Sequence, residues 1–146
     1  MSNVAQILRA KVNQVVYTVA PGASVFDALT IMAEKNIGAL PVVSLGQLVG
    51  IVSERNYARK VALAGRASRD TPVADIMDER VWRVTPHDSR ERCMALMTEK
   101  RVRHLAVIDD GRLVGLISIG DVVKDTIAEQ QFTIDQLERY IAGVRG

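Results

Sequence analysis

The chain has 146 residues, 48% of them hydrophobic and 25% charged, which fits one small domain or two halves sharing a core and excludes a disordered segment. Nineteen basic residues face 17 acidic ones, and a formal charge of +2 supplies no large field for nucleic acid or an anionic membrane. The single cysteine, Cys93, excludes an internal disulfide and suits a reducing compartment. The N-terminus has no signal-like apolar run, and no stretch nears the roughly 18–20 apolar residues of a membrane span, so a cytoplasmic protein is expected.

Taken in chain order, "VAQIL" at 4–8 predicts a short helical lead-in. "VVYTVAP" at 15–21 predicts a short strand stopped by Pro21, which cannot continue a central ladder. "SVFDALTIMAEKNI" at 24–37 repeats Val25, Ala28, Leu29 and Met32 at helical spacing behind a Ser24 N-cap. "ALPVVS" at 39–44 and "LVGIVS" at 48–53 read as strands joined around Gly46, with a second helix from Glu54. The polar "AGRASRDTPV" at 64–73 reads as a link.

Beyond the link the order returns. "VADIM" at 73–77 echoes the lead-in, and "VWRVTP" at 81–86 is a strand ended by Pro86. "SRERCMALMTEKRV" at 89–102 is a helix capped by Ser89, with Cys93, Met94, Leu96 and Met97 expected on its apolar face. "HLAVID" and "LVGLIS" form a hairpin across Asp110–Gly111, and a helix starts at Ile119. From Asp121 to about Ala142 the pattern predicts one long helix. Its Phe132, Ile134, Leu137, Tyr140 and Ile141 need cover from the body or from a second chain.

Residues 16–57 lie on 81–122 without a gap, and about a third of the positions are identical. A period of 65 with two copies is no solenoid; it predicts a pseudo-twofold pair in which each half completes the other's core. The expected organisation is a first unit at 1–63, a link at 64–72, a second unit at 73–125 and a helical tail at 126–146. Each unit runs strand, helix, strand, strand, helix.

The segments "LPVV" (40–43) with "GIVSERN" (50–56), and "LAVI" (105–108) with "GLISIGD" (115–121), resemble the cystathionine β-synthase, or CBS, domain. The resemblance spans about residues 4–125, and is strongest to stand-alone CBS-pair proteins of bacteria and their plant organellar relatives. It implies an α/β (α+β) fold in which tandem β-α-β-β-α units pack with pseudo-twofold symmetry into one disc, a Bateman module. It further implies a regulatory sensor that signals by conformational or assembly change. AMP is the first expected ligand, with NAD, ADP or ATP as alternatives; no metal and no catalysis are implied. A homodimer is the expected assembly, and an unidentified effector protein fits such a module. Two departures stand out: Asn56 replaces the aspartate that ends the first motif, and Ala106 replaces the proline of the second "LPV".

Carried over residue by residue, the ligand set is Thr18, Val19, Ala39, Pro41, Ser53, Arg55 and Asn56 from the first unit. The second supplies Arg83, Thr85, Arg103, His104, Ala106, Ser118 and Asp121. In Ser118-x-x-Asp121, both side chains fall over one helical turn. A carboxylate there can accept hydrogen bonds from the two hydroxyls of a ribose, while serine and the free helix N–H groups suit phosphate oxygens. The same spacing is that of a capping box, so Ser53 and Ser118 also read as caps alone. Arg103 and His104 stand where the first unit has Gly38 and Ala39, and Arg55 stands opposite Gly120. They read as phosphate contacts converging on a central cleft or as solvated surface charges. Trp82 reads as packing rather than a base stack, and Met32, Met94, Met97 and Cys93 as core. His87 and His104 lack zinc spacing, and no nucleophile–base set emerges, so the chain reads as a non-enzyme. Rival readings are a partner-binding regulator with vestigial ligand sites and, less favoured, a nucleic-acid binder using Arg55, Arg59, Lys60, Arg66 and Arg69.

Overall fold

Both hairpins turn on residue pairs with positive φ: Leu45 and Gly46 (52° and 76°), and Asp110 and Gly111 (51° and 77°). Two left-handed residues in succession match the twist of the flanking strands, and the glycine takes its half without steric cost. A computed structural model describes residues 2–11 and 14–145, the last two by backbone alone. The elements are α1 (Val4–Ala10), α2 (Val25–Lys35), β1 (Ala39–Ser44), β2 (Gln47–Ser53) and α3 (Glu54–Tyr57), which runs on as wider π turns over Ala58–Ala62. The second half holds β3 (Arg83–Val84), α4 (Arg90–Lys100), β4 (His104–Asp109), β5 (Arg112–Ser118) and α5 (Ile119–Arg145).

The repeat is visible atom by atom. Ser24 Oγ accepts from the Asp27 N–H and Ser89 Oγ from the Arg92 N–H, both at 3.0 Å. Helices α2 and α4 both stop at a left-handed residue, Asn36 and Arg101, each with φ 54°. The β1–β2 and β4–β5 ladders are antiparallel and bulge at equivalent places, Val42/Val43 and Val107/Ile108. The halves differ at their first strands. Arg83 and Val84 pair in parallel with Ala106 and Val107, whereas "VVYTVAP" forms no strand. There only Val19 bridges to Val42, its N–H donating to the Pro41 carbonyl and its carbonyl accepting from the Val43 N–H.

Two cores form, and each takes the lead-in of the other unit. Val4 and Ile7 pack with Val84, Cys93, Leu105 and Ile117 of the second unit. Val73 and Ile76 pack with Val25, Met32, Leu40 and Val52 of the first. Backbone bonds lock this exchange in matching pairs. Val4 N–H donates to Asp88 O as Val73 N–H does to Ala23 O, and Ala5 N–H donates to Pro86 O as Ala74 N–H does to Pro21 O. Burial of these apolar side chains joins the halves through the strongest general force in folding.

The exchange also explains the glycine of each motif. A Cβ on Gly50 would lie 2.7 Å from Met77 Sδ and 2.9 Å from the Asp78 carbonyl oxygen. One on Gly115 would lie 2.8 Å from a Leu8 methyl. Each glycine therefore admits the lead-in that crosses from the other unit.

Expected packing roles hold for Met32, Met97 and Cys93, all buried. Trp82 packs at the edge of the second core with the Lys100 ammonium 4.5 Å from its ring centre. Met94 is a correction: it is 44% exposed, because α4 turns Cys93, Leu96 and Met97 inward and the intervening position outward. The tail also departs from cover by the body. Val122 is buried, but from Gln130 onward the described side chains of α5 are exposed.

Candidate functional site

At the end of β5 the chain passes directly into α5, and the junction is a reciprocal cap. Ser118 N–H donates to Asp121 Oδ2 at 2.9 Å, and Asp121 N–H donates to Ser118 Oγ at 3.1 Å. Lys11 completes the corner. Its ammonium lies 3.0 Å from Asp121 Oδ2 and donates to the Leu116 carbonyl at 2.9 Å. Both contacts of the carboxylate, with Ser118 N–H and with Lys11, fall on Oδ2; among the described residues, Oδ1 has no hydrogen-bond partner. The Asp121 side chain is 15% exposed, and Lys11 30%, so the pair lies at the edge of solvent.

This corner forms part of a cleft of about 920 Å³ shared by both units. The first unit contributes Tyr17, Ile37, Gly38, Ala39 and Pro41, and the second contributes His104, Val114, Leu116, Ser118 and Asp121. Lead-in residues Leu8 and Lys11 close one side, and Lys124 and Ala128 of α5 another. The wall mixes apolar side chains with charged ones, Arg9, Lys11, Lys35, Asp121, Lys124 and Asp125, so it offers both an apolar surface and charge to a ligand. Burial holds the His104 imidazole below its ordinary 6.5; the Asp121 carboxylate pulls upward, and the Lys11 and Arg103 cations add to the lowering.

The equivalent corner of the first unit is closed by its own chain. Asn56 is 7% exposed, and its Oδ1 accepts from both the Ser53 N–H (2.8 Å) and Oγ (2.9 Å). Its Nδ2 donates to Asp78 Oδ2 at 3.3 Å. Asp78 in turn bridges to Ile51 through two backbone bonds, laying residues 76–79 along the edge of β2. Around Asp121 the lead-in instead stays helical to Ala10, and only the Lys11 side chain reaches Leu116. The pseudo-symmetry breaks here because one lead-in is a three-residue 3-10 turn, Val73–Asp75, and the other a seven-residue α-helix.

The structure brings Ala39, Pro41, His104, Ser118 and Asp121 together in one cleft. Ser53 and Asn56 sit at the opposite corner. Val19 and Ala106 are buried in strand pairing, Ala106 N–H donating to the Trp82 carbonyl. Thr18, Arg83, Arg55 and Arg103 are exposed and outside the cleft wall, so the arginines do not converge on it in this conformation. Thr85 is exposed in a turn where its N–H donates to Asp88 Oδ2. Lys11 was missed by motif reading, because it lies outside the gapless register of 16–57 on 81–122 and meets Asp121 only through the exchange of lead-ins. Burial pushes the Cys93 thiol up to about 11, which leaves it protonated and unreactive. Among the described residues no cluster of His, Cys, Asp or Glu is placed to hold a metal ion, and no helix is long and apolar enough to cross a membrane.

The CBS domain family matches the chain twice, at residues 4–63 and 73–126. The chain is 43% identical over 125 residues to CBS domain-containing protein CBSX3, mitochondrial, of Arabidopsis thaliana; the match covers 82% of this chain and 61% of that protein. A CBS-domain protein of solved structure from Burkholderia ambifaria, put forward as a signal-transduction protein, is 56% identical with a TM-score of 0.85, over 91% of this chain and 99% of that one. A hexameric CBS-CP12 protein from bloom-forming cyanobacteria is 30% identical with a TM-score of 0.75, over 84% of this chain and 66% of that one.

Proposed function

The chain belongs to the CBS domain family as a tandem pair, a regulatory module, and from that premise we propose that it senses adenine nucleotides. The observation that carries the reading is the Asp121 carboxylate, set in the wall of a cleft built by both units and paired there with Lys11. A purine fits between Val114, Leu116 and Pro41, and a ribose offers Asp121 the two hydroxyl donors its oxygens can accept. The ribose hydroxyls share the carboxylate with Lys11, whose ammonium adds a positive charge to the cleft for the phosphate. AMP is the first ligand expected, with ADP, ATP or NAD as alternatives. Binding draws Lys11 and α5 toward a shared ligand and biases the shape or assembly of the module. It can shift that equilibrium only by its difference in affinity between the states.

Calorimetric titration with adenosine, AMP, ADP, ATP, NAD and NADH tests this. The expected result is saturable binding near one ligand per chain, weakened at least tenfold in Asp121→Ala, which corresponds to about 1.4 kcal/mol. Lys11→Ala is expected to narrow the preference for AMP over adenosine. Equal binding by Asp121→Ala and the parent chain overturns the ribose assignment. At the Asn56 corner, contact with Asp78 favours a structural role, so filling of a second site is not expected under these conditions.

A further inference from the structure

Charge in the cleft does not balance. Four cations line it, Arg9, Lys11, Lys35 and Lys124, against two carboxylates, Asp121 and Asp125. Both carboxylates already have partners. Asp121 holds Lys11, and Asp125 holds Arg90, which lies outside the cleft wall. Arg9, Lys35 and Lys124 are exposed, and among the described residues none of them has an ion-pair partner. They come from three elements, α1, the last turn of α2 and the start of α5. The Lys35 ammonium lies 5.1 Å from the centre of the Tyr17 ring, itself part of the wall, and this contact holds it over the cleft. On α5 the cleft residues Asp121, Lys124 and Ala128 follow at steps of three and four, so they share one face. Lys124 stands about 4.5 Å further along the helix axis than Asp121.

We propose that Arg9, Lys35 and Lys124 form a phosphate-chain subsite, which makes the cleft select a nucleoside di- or triphosphate over the monophosphate. This deepens the sensor reading, on which it rests for the position of the ribose, and it moves ADP and ATP ahead of AMP. A monophosphate brings about two negative charges, and each further phosphate brings about one more. Lys11, beside Asp121, meets the charge nearest the ribose. The three outer cations are left for what extends beyond it. A cleft lined by one sign of charge focuses its field, so the pull on an anion grows with the charge that enters. In the empty cleft the three cations repel one another. A chain of phosphates relieves that repulsion, and a nucleoside does not.

Calorimetric titration in metal-free buffer at low salt tests this, with AMP, ADP, ATP and inorganic tripolyphosphate as probes. The parent chain is expected to bind ATP about tenfold more tightly than AMP, and each of Lys124→Gln and Lys35→Gln to lower that ratio about threefold. Both positions are exposed and helical, and glutamine is a good helix former, so both variants are expected to fold, as circular dichroism verifies. Arg59→Gln removes an equal charge outside the cleft wall and is expected to leave the ratio unchanged. Tripolyphosphate is expected to compete with ATP, and added salt to narrow the ratio, because screening acts on exposed charge. Equal affinities for ATP and AMP overturn the subsite, as does a ratio that Arg59→Gln lowers as far as Lys124→Gln does. If AMP still loses affinity in Asp121→Ala, the ribose assignment survives that result. If Asp121→Ala binds AMP as the parent does while Lys124→Gln lowers the ratio, the ribose assignment falls and the subsite stands.

Discussion

At the scale of single residues, the two motif glycines make a controlled comparison. A methyl at Gly50 meets a backbone carbonyl, which cannot move without breaking the Asp78–Ile51 bridge. A methyl at Gly115 meets only the tip of Leu8, which has other rotamers. Gly50→Ala is therefore expected to cost about 2–3 kcal/mol, while Gly115→Ala stays within about 1 kcal/mol because lost chain entropy in the unfolded state offsets the strain. Urea midpoints at unchanged slope measure both. His104 supplies a second test. Its folded pKa lies below the unfolded 6.5, so the unfolded chain takes up a proton that the folded one refuses. Its stabilising contribution is complete above pH 6.5 and is lost as pH falls from there through the lower folded value. His104→Gln is expected to flatten stability against pH in that window, and if a phosphate sits beside His104, nucleotide affinity rises as pH falls.

At the scale of elements, α5 depends on one buried cation. The Arg90 guanidinium donates to Asp125 at 3.0 Å and also to Glu129, while its Nε has no partner among the described residues. Removing Arg90 leaves Asp125, itself only 16% exposed, without its counter-charge. Arg90→Ala is expected to cost about 3 kcal/mol and to lower amide-exchange protection over residues 122–130. If protection there is unchanged, packing of Val122 alone anchors the helix. The outcome bears on the cleft, because α5 holds Asp121 and Lys124 in its wall only while its inner face is held.

At the scale of the whole molecule, the exchange of lead-ins makes two similar units one object. Neither core is complete without a segment from the other half. A hinge between independent units is therefore not the expected motion. The exchange also creates the asymmetry of the corners: a chain segment fills the space beside Asn56, while a helix and a lysine border the open cleft beside Asp121. The repeat, its 65-residue register and both "S-x-x-N/D" corners were legible in sequence, as were ligand candidates on both sides. Which corner stays open was not, because the two lead-ins "VAQIL" and "VADIM" carry the same apolar pattern and differ in length of helix only once packed.

By itself the sequence determined what lies within a few residues of its cause: the two hairpins and the helices beside them, the serine caps, the tight hairpin turns and the reciprocal Ser–Asn and Ser–Asp caps, though not the expected strand at 15–21. Each is a contact over three or four positions, written in the residue types themselves. Only the tertiary structure decided which core each lead-in enters, that Lys11 pairs with Asp121, that Met94 faces outward and that the tail leaves the body. Those outcomes rest on burial and charge pairing between segments far apart in the chain, where apolar stripes of equal strength have several partners and the packing of the whole selects one.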